Sequence, residues 1–444
     1  MPSVNLNFAH LLESLDSSID EMEDPRKASN ATNYSVRDAV LGAFSAFFMQ
    51  SGSFLEYQRQ LNSRSGRDNA QSLFGLEQIP SMAQMRNILD KLAATGLNSV
   101  FVSLYQRLQA QGYLQSFKVI DDHLLVALDG TEYYSSQKVS CPCCSTRTSR
   151  KGVVTYSHKA LLPVIVAPGE SSVLSLPPAF MTPQDGHAKQ DCEQTAAKRW
   201  IQAAPTIFGE QPVTLLGDDL FSRQPMCETA IQNGVNFIFV CLPESHPALY
   251  DWIGFNAANG KVTVLEQQRR TGKTDEIWQL RYLNDVPLRS EAPILSVNWC
   301  ELTVTRLSDG KQLYINSWVT RHQLTDERVL AVAEAGRTRW KTENENHNVL
   351  KTKGYHLEHN FGHGKRHLSA FLLTLNLLAF LFHTILHLTD ESYQQIRQGR
   401  GTRKGFFQDI LALTKYMLFE SWADLLVFML DDQKKSAKSV RNTS

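Results

Sequence analysis

Asp129 and Asp218 each stand just beyond a short apolar run, LLVAL (Leu124–Leu128) and VTLLG (Val213–Gly217). Carboxylates at the carboxyl edge of an open sheet project into the crevice where ligands bind. If the two runs are neighbouring strands, the carboxylates converge and repel, and a divalent cation relieves that repulsion. All-oxygen ligation suits Mg²⁺, which keeps several waters and takes one or two protein carboxylates. A lone strand-end Asp is more often a turn or helix cap. Asp219 competes with Asp218 for the same role, and Asp218 is the first residue past the strand. The third element is a row of residues four apart, Arg339, Glu343, His347 and Lys351. Such positions share one face of a helix. A carboxylate flanked by Arg and Lys suits metal-dependent phosphoryl transfer: the carboxylate ligates metal and the cations hold phosphate oxygens. An exposed helix laced with ion pairs would account for Arg339 and Glu343. It would not account for the five of 13 histidines that fall between His347 and His367. Nor would it account for seven Lys/Arg against three Glu from Arg337 to Arg366. That stretch, with Lys341 and Lys353 beside Lys351, reads as a phosphate-facing surface, and the loop with Arg269, Arg270 and Lys273 adds local positive charge. Glu345 competes with Glu343, whose spacing from Arg339 favours it.

A second chemistry is suggested by Cys141-Pro142-Cys143-Cys144. Cys141 and Cys144 have the Cys-x-x-Cys spacing of a zinc knuckle, with Cys143, His158, His187 or Cys192 as candidate further ligands. The alternative is a hairpin loop of reduced thiols. Cys227, Cys241 and Cys300 read as ordinary buried cysteines.

These residues need elements to position them. Residues 1–115 read as helical, with DAVLGAFSAFFMQ (Asp38–Gln50) apolar at helical intervals and a restart at Pro80-Ser81. From Phe117 the texture becomes β-like. LLVAL is a buried strand ending at Asp129-Gly130-Thr131. GVVTYSHKALLPVIVAPG supplies two strand-like runs around a Pro168-Gly169 turn, and SVLSL extends the sheet. The order predicted is three strands, helix, strand, helix, strand, ending with VNFIFVCL (Val235–Leu242). Four alternating β-like runs follow to about residue 320, then the polar helix RTRWKTENENHNVLK and a long apolar helix. The tail KKSAKSVRNTS is basic and is expected to be disordered.

The 444 residues correspond to about two to four domains. Apolar residues are 42% and charged residues 20%, so cores can form. Lys+Arg and Asp+Glu are both 45, which excludes a uniformly basic binder but not a local basic groove. The opening MPSVNLNFAHLLESLDSSIDEMED is acidic and has no signal-peptide character. With seven cysteines, an odd count, the reading is a cytoplasmic protein in a reducing compartment. The run from Leu368 to Leu388 is long enough to span a membrane, but it carries Asn376, His383 and His387 and reads as a core helix.

The helical N-terminal region, Asp129-Gly130-Thr131, the strand-end Asp218 and the run Arg339-Trp340-Lys341-Thr342-Glu343 together resemble a DDE transposase of bacterial insertion sequences. The subgroup has an RNase H-like catalytic domain with a β-rich insertion before the catalytic Glu, and the resemblance covers nearly the whole chain. It implies an α/β fold: an RNase H-like mixed sheet flanked by helices, a helical N-terminal region and a β-rich insertion. The segments expected are 1–115 (helical, DNA-end binding), 116–245 (first part of the catalytic domain) and 246–320 (insertion). Residues 321–390 complete the catalytic domain with the Glu helix, and 391–444 form a C-terminal helical region and basic tail. The implied activity is cutting of element ends and joining of the 3′ hydroxyl to target DNA, with Mg²⁺ or Mn²⁺ held by Asp129, Asp218 and Glu343. The phosphate contacts would be Arg339, Lys341, Lys351 and Lys353. Implied partners are the terminal inverted repeats, target DNA and a second copy of the chain, in a bacterial cytoplasm near the nucleoid. An aromatic residue of the insertion, Trp299 or Trp318, could stack on a flipped base in a hairpin intermediate; either could equally be core. Two positions depart from the subgroup's pattern. Its Tyr three residues before the Arg is Gly336 here, and its Lys seven residues after the Glu is displaced by one, to Lys351. Two other readings stand beside this one: a catalytically inactive, transposase-derived DNA-binding protein, and a zinc hydrolase centred on Cys141 and Cys144.

Overall fold

Leu124–Leu128 and Val213–Gly217 are completely enclosed by protein. Runs apolar at every position, not at alternate ones, suit adjacent parallel strands covered on both faces. In the computed structural model they are such a pair. The structure describes residues 6–26, 34–183, 192–272 and 274–441, with side chains to 432. The strands are β1 (Leu124–Ala127), β2 (Gly130–Ser136), β3 (Ser145–Thr148), β4 (Val154–Leu161), β5 (Val164–Val166), β6 (Leu174–Ser175) and β7 (Ala179–Met181). They continue with β8 (Val213–Gly217), β9 (Asn236–Val240), β10 (Thr263–Thr271), β11 (Thr274–Pro287), β12 (Ser296–Arg306) and β13 (Gln312–Thr320). The fold is α/β. Nine strands form one mixed sheet in the order β10-β11-β12-β13-β9-β8-β1-β5-β6. Strands β1, β8 and β9 run parallel to their neighbours in that trio. Strands β5 and β6 are antiparallel on one side. On the other side β13 pairs antiparallel with β9 and carries the long meander β10–β12 outward. The β-rich stretch before the polar helix therefore prolongs the central sheet instead of standing apart from it.

A second sheet differs from expectation. Strands β2, β3, β4 and β7 pair with one another and not with β1. The run VTYSHKAL therefore leaves the main sheet, and only VIV and LS extend it. GTEYYSS, which the sequence alone assigns to no strand, is strand β2.

The helices are α1 (Phe8–Asp20), α2 (Val36–Phe48), α3 (Phe54–Leu61), α4 (Arg64–Phe74), α5 (Met82–Leu89) and α6 (Asn98–Ala110), then α7 (Glu193–Phe208), α8 (Gln224–Gln232) and α9 (Pro247–Ala258). After the meander come α10 (Val329–Arg337), a π-helical turn (Thr342–His347) and α11 (Asn348–Thr352). The chain ends in α12 (Leu368–Thr389), α13 (Glu391–Gly399), α14 (Arg403–Tyr416) and α15 (Trp422–Arg441). Ser35, Ser53, Ser63 and Ser81 cap the second to fifth helices by accepting from a backbone N–H three residues on. The first six and last four helices share one core. Asn69 donates to the carbonyls of Thr414 and Met417 and accepts from the Phe419 N–H. Thr389 donates to Leu6.

Helix α12 is long and apolar enough to cross a membrane, yet it is buried inside the fold. Its polar residues hold neighbours: Asn376 Nδ2 donates to the Tyr355 carbonyl at 2.8 Å, and His383 Nδ1 lies 2.6 Å from the Tyr355 hydroxyl. Asp90, at the end of α5, accepts from the backbone N–H groups of Lys365, Arg366, His367 and Leu368. Helix α12 is thereby pinned at its start to the N-terminal helices.

Candidate active site

Ala127 pairs with Leu216 across the parallel strands β1 and β8. Asp129 and Asp218 each lie two residues further on, so the same register carries both carboxylates to the same edge of the sheet. The carboxyl of Asp129 is mostly buried, and its ordinary acidity is lost. Burial pushes it up to about 7, assisted by the negative charges of Glu193, Glu343 and Asp218 and opposed by Arg339. Glu343 and Arg339 are thus within electrostatic range of Asp129. Arg339 Nη2 lies 3.2 Å from Glu343 Oε1, the i,i+4 contact the spacing predicts. Glu345 points elsewhere. It lines an open groove of about 490 Å³ with Trp340, Lys341, Arg337 and Glu170. Asp219 is likewise committed elsewhere, accepting from the Leu242 N–H at 2.8 Å and the Ser245 hydroxyl at 2.6 Å. Asp218 accepts only locally, from the Leu220 N–H.

Glu193, in the first turn of α7, is a fourth carboxylate that the sequence did not single out. Its Oε1 accepts from the Gly130 N–H at 2.8 Å, and burial raises its pKa. A Cβ on Gly130 would lie 2.8 Å from that carboxyl carbon, so only glycine lets Glu193 approach the strand end. In sequence Glu193 is an ordinary acid inside DGHAKQDCEQTAAKRWIQAA, a run of good helix composition in which nothing marks one carboxylate as functional.

His347 Nδ1 lies 3.3 Å from Asp129 Oδ2. Burial and the nearby Lys351 push the imidazole down to about 4, which favours the neutral ring and leaves this a polar contact, not an ion pair. Glu343 and His347 both belong to the π-helical turn. Such turns are rare and concentrate at functional sites.

The cationic residues divide. Arg339 stands at the carboxylate cluster. Lys353 is exposed, and Lys351 Nζ lies 2.8 Å from Glu358 on a half-open surface. Lys341 does not face phosphate: it is 6% exposed, with Nζ donating to the carbonyls of Ala167 (2.5 Å) and Glu170. It fastens the helix to the loop after β5. Arg337 lies over the rings of Trp278 and Tyr314, and Arg269 pairs with Glu334 at 2.5 Å, so two other expected phosphate contacts are spent inside the fold. Lys273 lies outside the described residues. Trp299 and Trp318 are wholly buried and are core, not stacking surfaces.

Gly336 stands where the subgroup has Tyr. A Cβ there would lie 2.6 Å from Trp318 Nε1, so the indole occupies the space that a side chain would need.

Away from the carboxylates, Cys141, Cys144, His158 and His363 bring two sulfurs and two imidazole nitrogens within 4.8 Å of one another. This cluster could hold a metal ion. Cys141 and Cys144 begin and end the turn before β3, and His158 is on β4. His363 comes from the segment between α11 and α12 and was missed, because 219 residues separate it from Cys144 and no local spacing links them. Of the other ligand candidates, Cys143 and Cys192 stand outside the cluster. His187 lies outside the described residues.

No protein-family model matches the chain, and no curated protein matches it. Among solved structures, the fold is similar to the cryo-EM structure of a piggyBac transposase synaptic complex with hairpin DNA. The TM-score is 0.40 with 8% identity, over 92% of this chain and 77% of that one.

Proposed function

We propose that the protein is a metal-dependent DNA transposase whose Asp129, Asp218 and Glu343 hold divalent metal at the carboxyl edge of the sheet. The observation that carries this is the register-matched pair Asp129 and Asp218, with the Asp129 carboxyl pushed up to about 7 by burial and by the charges of Glu193, Glu343 and Asp218. Convergent carboxylates with a single nearby guanidinium are short of positive charge, and hard oxygen donors fit Mg²⁺ or Mn²⁺. The strand order β6-β5-β1-β8-β9, antiparallel on one side of β1 and parallel on the other, supports an RNase H-like reading of the core. The chemistry a bound Mg²⁺ pair supplies is activation of an attacking hydroxyl and stabilisation of the leaving oxygen in phosphodiester cleavage and strand transfer.

The chain's own residues do the rest. Asp129, Asp218 and Glu343 supply carboxylate oxygens. Arg339 orients Glu343 and keeps donors for a phosphate oxygen. The His347 imidazole, 3.3 Å from the Asp129 carboxylate, backs that carboxylate from the Glu343 helix. Lys351 and Lys353 face the DNA backbone. Two copies of the chain would act on the paired element ends and join them to target DNA.

The test is cleavage of linear DNA carrying the element's terminal repeats. Activity should vanish with chelator and return with Mg²⁺ or Mn²⁺. Unchanged binding with no cleavage under any metal would make the protein a DNA-binding descendant of a transposase instead.

A further inference from the structure

The cysteine–histidine cluster has the dimensions of an occupied zinc site. With bonds of about 2.3 Å to sulfur and about 2.0–2.1 Å to nitrogen, the edges of a regular tetrahedron are about 3.8 Å for S···S, 3.6 Å for S···N and 3.4 Å for N···N. The Cys141 and Cys144 sulfurs are 3.8 Å apart. The S···N separations are 3.5 Å from Cys141 to His158, 3.5 Å from Cys144 to His158 and 3.3 Å from Cys144 to His363. The two Nε2 atoms are 3.2 Å apart. His363 Nδ1 lies 2.9 Å from the Gly364 carbonyl, which can only accept, so Nδ1 carries the proton and Nε2 aims a lone pair at the centre. A ligating histidine normally donates its other N–H in this way. Cys144, His158 and His363 are all buried. Four soft or borderline donors converging in a buried spot need a cation at their centre to be satisfied together.

We propose that Cys141, Cys144, His158 and His363 bind one structural Zn²⁺, which staples the small sheet to the segment that leads from the Glu343 helix into α12. Four protein donors close the coordination sphere and leave no position for substrate, which marks a structural and not a catalytic zinc. This excludes the zinc-hydrolase alternative at these residues. The staple acts close to the candidate active site by chain connection at both ends. Strand β2 starts at Gly130, the neighbour of Asp129, and runs to Tyr134, whose ring lies 4.4 Å from that of His363. On the other side, the segment carrying His363 follows Lys351 and is pinned to Asp90 immediately afterwards. Zinc would therefore fix the approach of the Glu343 helix to the strand end that carries Asp129.

The proposal does not depend on the carboxylate reading, and its readout is metal content, not DNA cleavage. The full-length protein, purified from zinc-replete cells without chelator, should contain about one zinc per chain by elemental analysis. Cys141→Ser, Cys144→Ser and His363→Ala should each lower that content and the Tm, whereas Cys143→Ser should keep both. Should the ligand variants fail to fold, wild-type protein with Co²⁺ exchanged for zinc serves instead: it should show the intense visible bands of tetrahedral cobalt and thiolate charge transfer in the near ultraviolet. Absence of zinc together with failure to take up Co²⁺ would overturn the proposal. So would a Cys141–Cys144 disulfide in the native protein, or loss of zinc in Cys143→Ser.

Discussion

Glu343 and Glu345 are two residues apart, yet one lies within electrostatic range of the Asp129 carboxyl and the other lines a groove beside Lys341. Glu343→Gln should lower strand cleavage by at least about a hundredfold, roughly 2.7 kcal/mol of barrier, with binding of element ends nearly unchanged. Glu345→Gln should cut normally, and the reverse result in the cleavage assay would move the third ligand to Glu345. Asp129 makes a prediction of different sign from most carboxylates. Its folded pKa, about 7, lies above the ordinary aspartate value of about 3.9. Between roughly pH 4 and pH 7 the folded protein then holds a proton that the unfolded chain has lost, so metal-free stability contributed by this group falls as pH rises through that window. Mg²⁺ competes with that proton. The Tm increase on adding Mg²⁺ should therefore be larger at pH 8 than at pH 6, and Asp129→Asn should erase the difference. Equal Mg²⁺ shifts at both pH values would argue against metal at Asp129.

At the scale of elements, α10 and β13 meet where Gly336 touches Trp318. Restoring a side chain there overpacks a site already full, which typically costs about 1–3 kcal/mol. Gly336→Ala should lower the Tm, and Trp318→Leu should recover part of the loss in the double variant; additive losses in thermal melts would rule out the contact. Strands β1 and β8 were legible because five-residue apolar runs ending in Asp have few other meanings. The small sheet was not, because GTEYYSS mixes Thr, Tyr and Ser directly after Asp129-Gly130, and a turn explains those residues as well as a strand does. The i,i+4 row predicted the Arg339–Glu343 contact. Spacing on one helix could not tell which row members face the sheet, so Lys341 was assigned to phosphate although loop carbonyls enclose its amine. Glu193 and His363 depend on contacts between distant segments, which leave no periodic trace.

For the whole molecule, the balance of 45 basic and 45 acidic residues conceals a local surplus. Once the internally engaged Arg337 and Lys341 are set aside, Lys353, Lys365 and Arg366 remain exposed, with Arg339 paired to Glu343 and Lys351 to Glu358. Each phosphate they neutralise should add roughly 0.9 to the slope of log affinity against log salt. The variants Lys351→Ala and Lys353→Ala should each flatten that slope by about one contact in fluorescence-anisotropy titrations. Lys341→Ala should leave the slope alone and lower the Tm. A salt-independent affinity in the unmodified protein would mean that these charges are merely solvated.

The π-helical turn from Thr342 to His347 changes the angular phase of the helix that carries Glu343. In an unbroken α-helix, seven residues fall about 20° short of two full revolutions, and eight overshoot by about 80°. Lys351 lies eight residues after Glu343, where the transposase subgroup that the sequence resembles has seven. A turn closed by i→i+5 bonds absorbs one surplus residue, returning Lys351 to the azimuth that the shorter spacing would give it. The wide turn thus accommodates the eight-residue spacing without turning Lys351 away from the face that carries Glu343. Deleting Asn344 should heal it into plain α-helix and leave Arg339, Glu343 and Lys351 in phase, whereas deleting a residue beyond Lys351 should not.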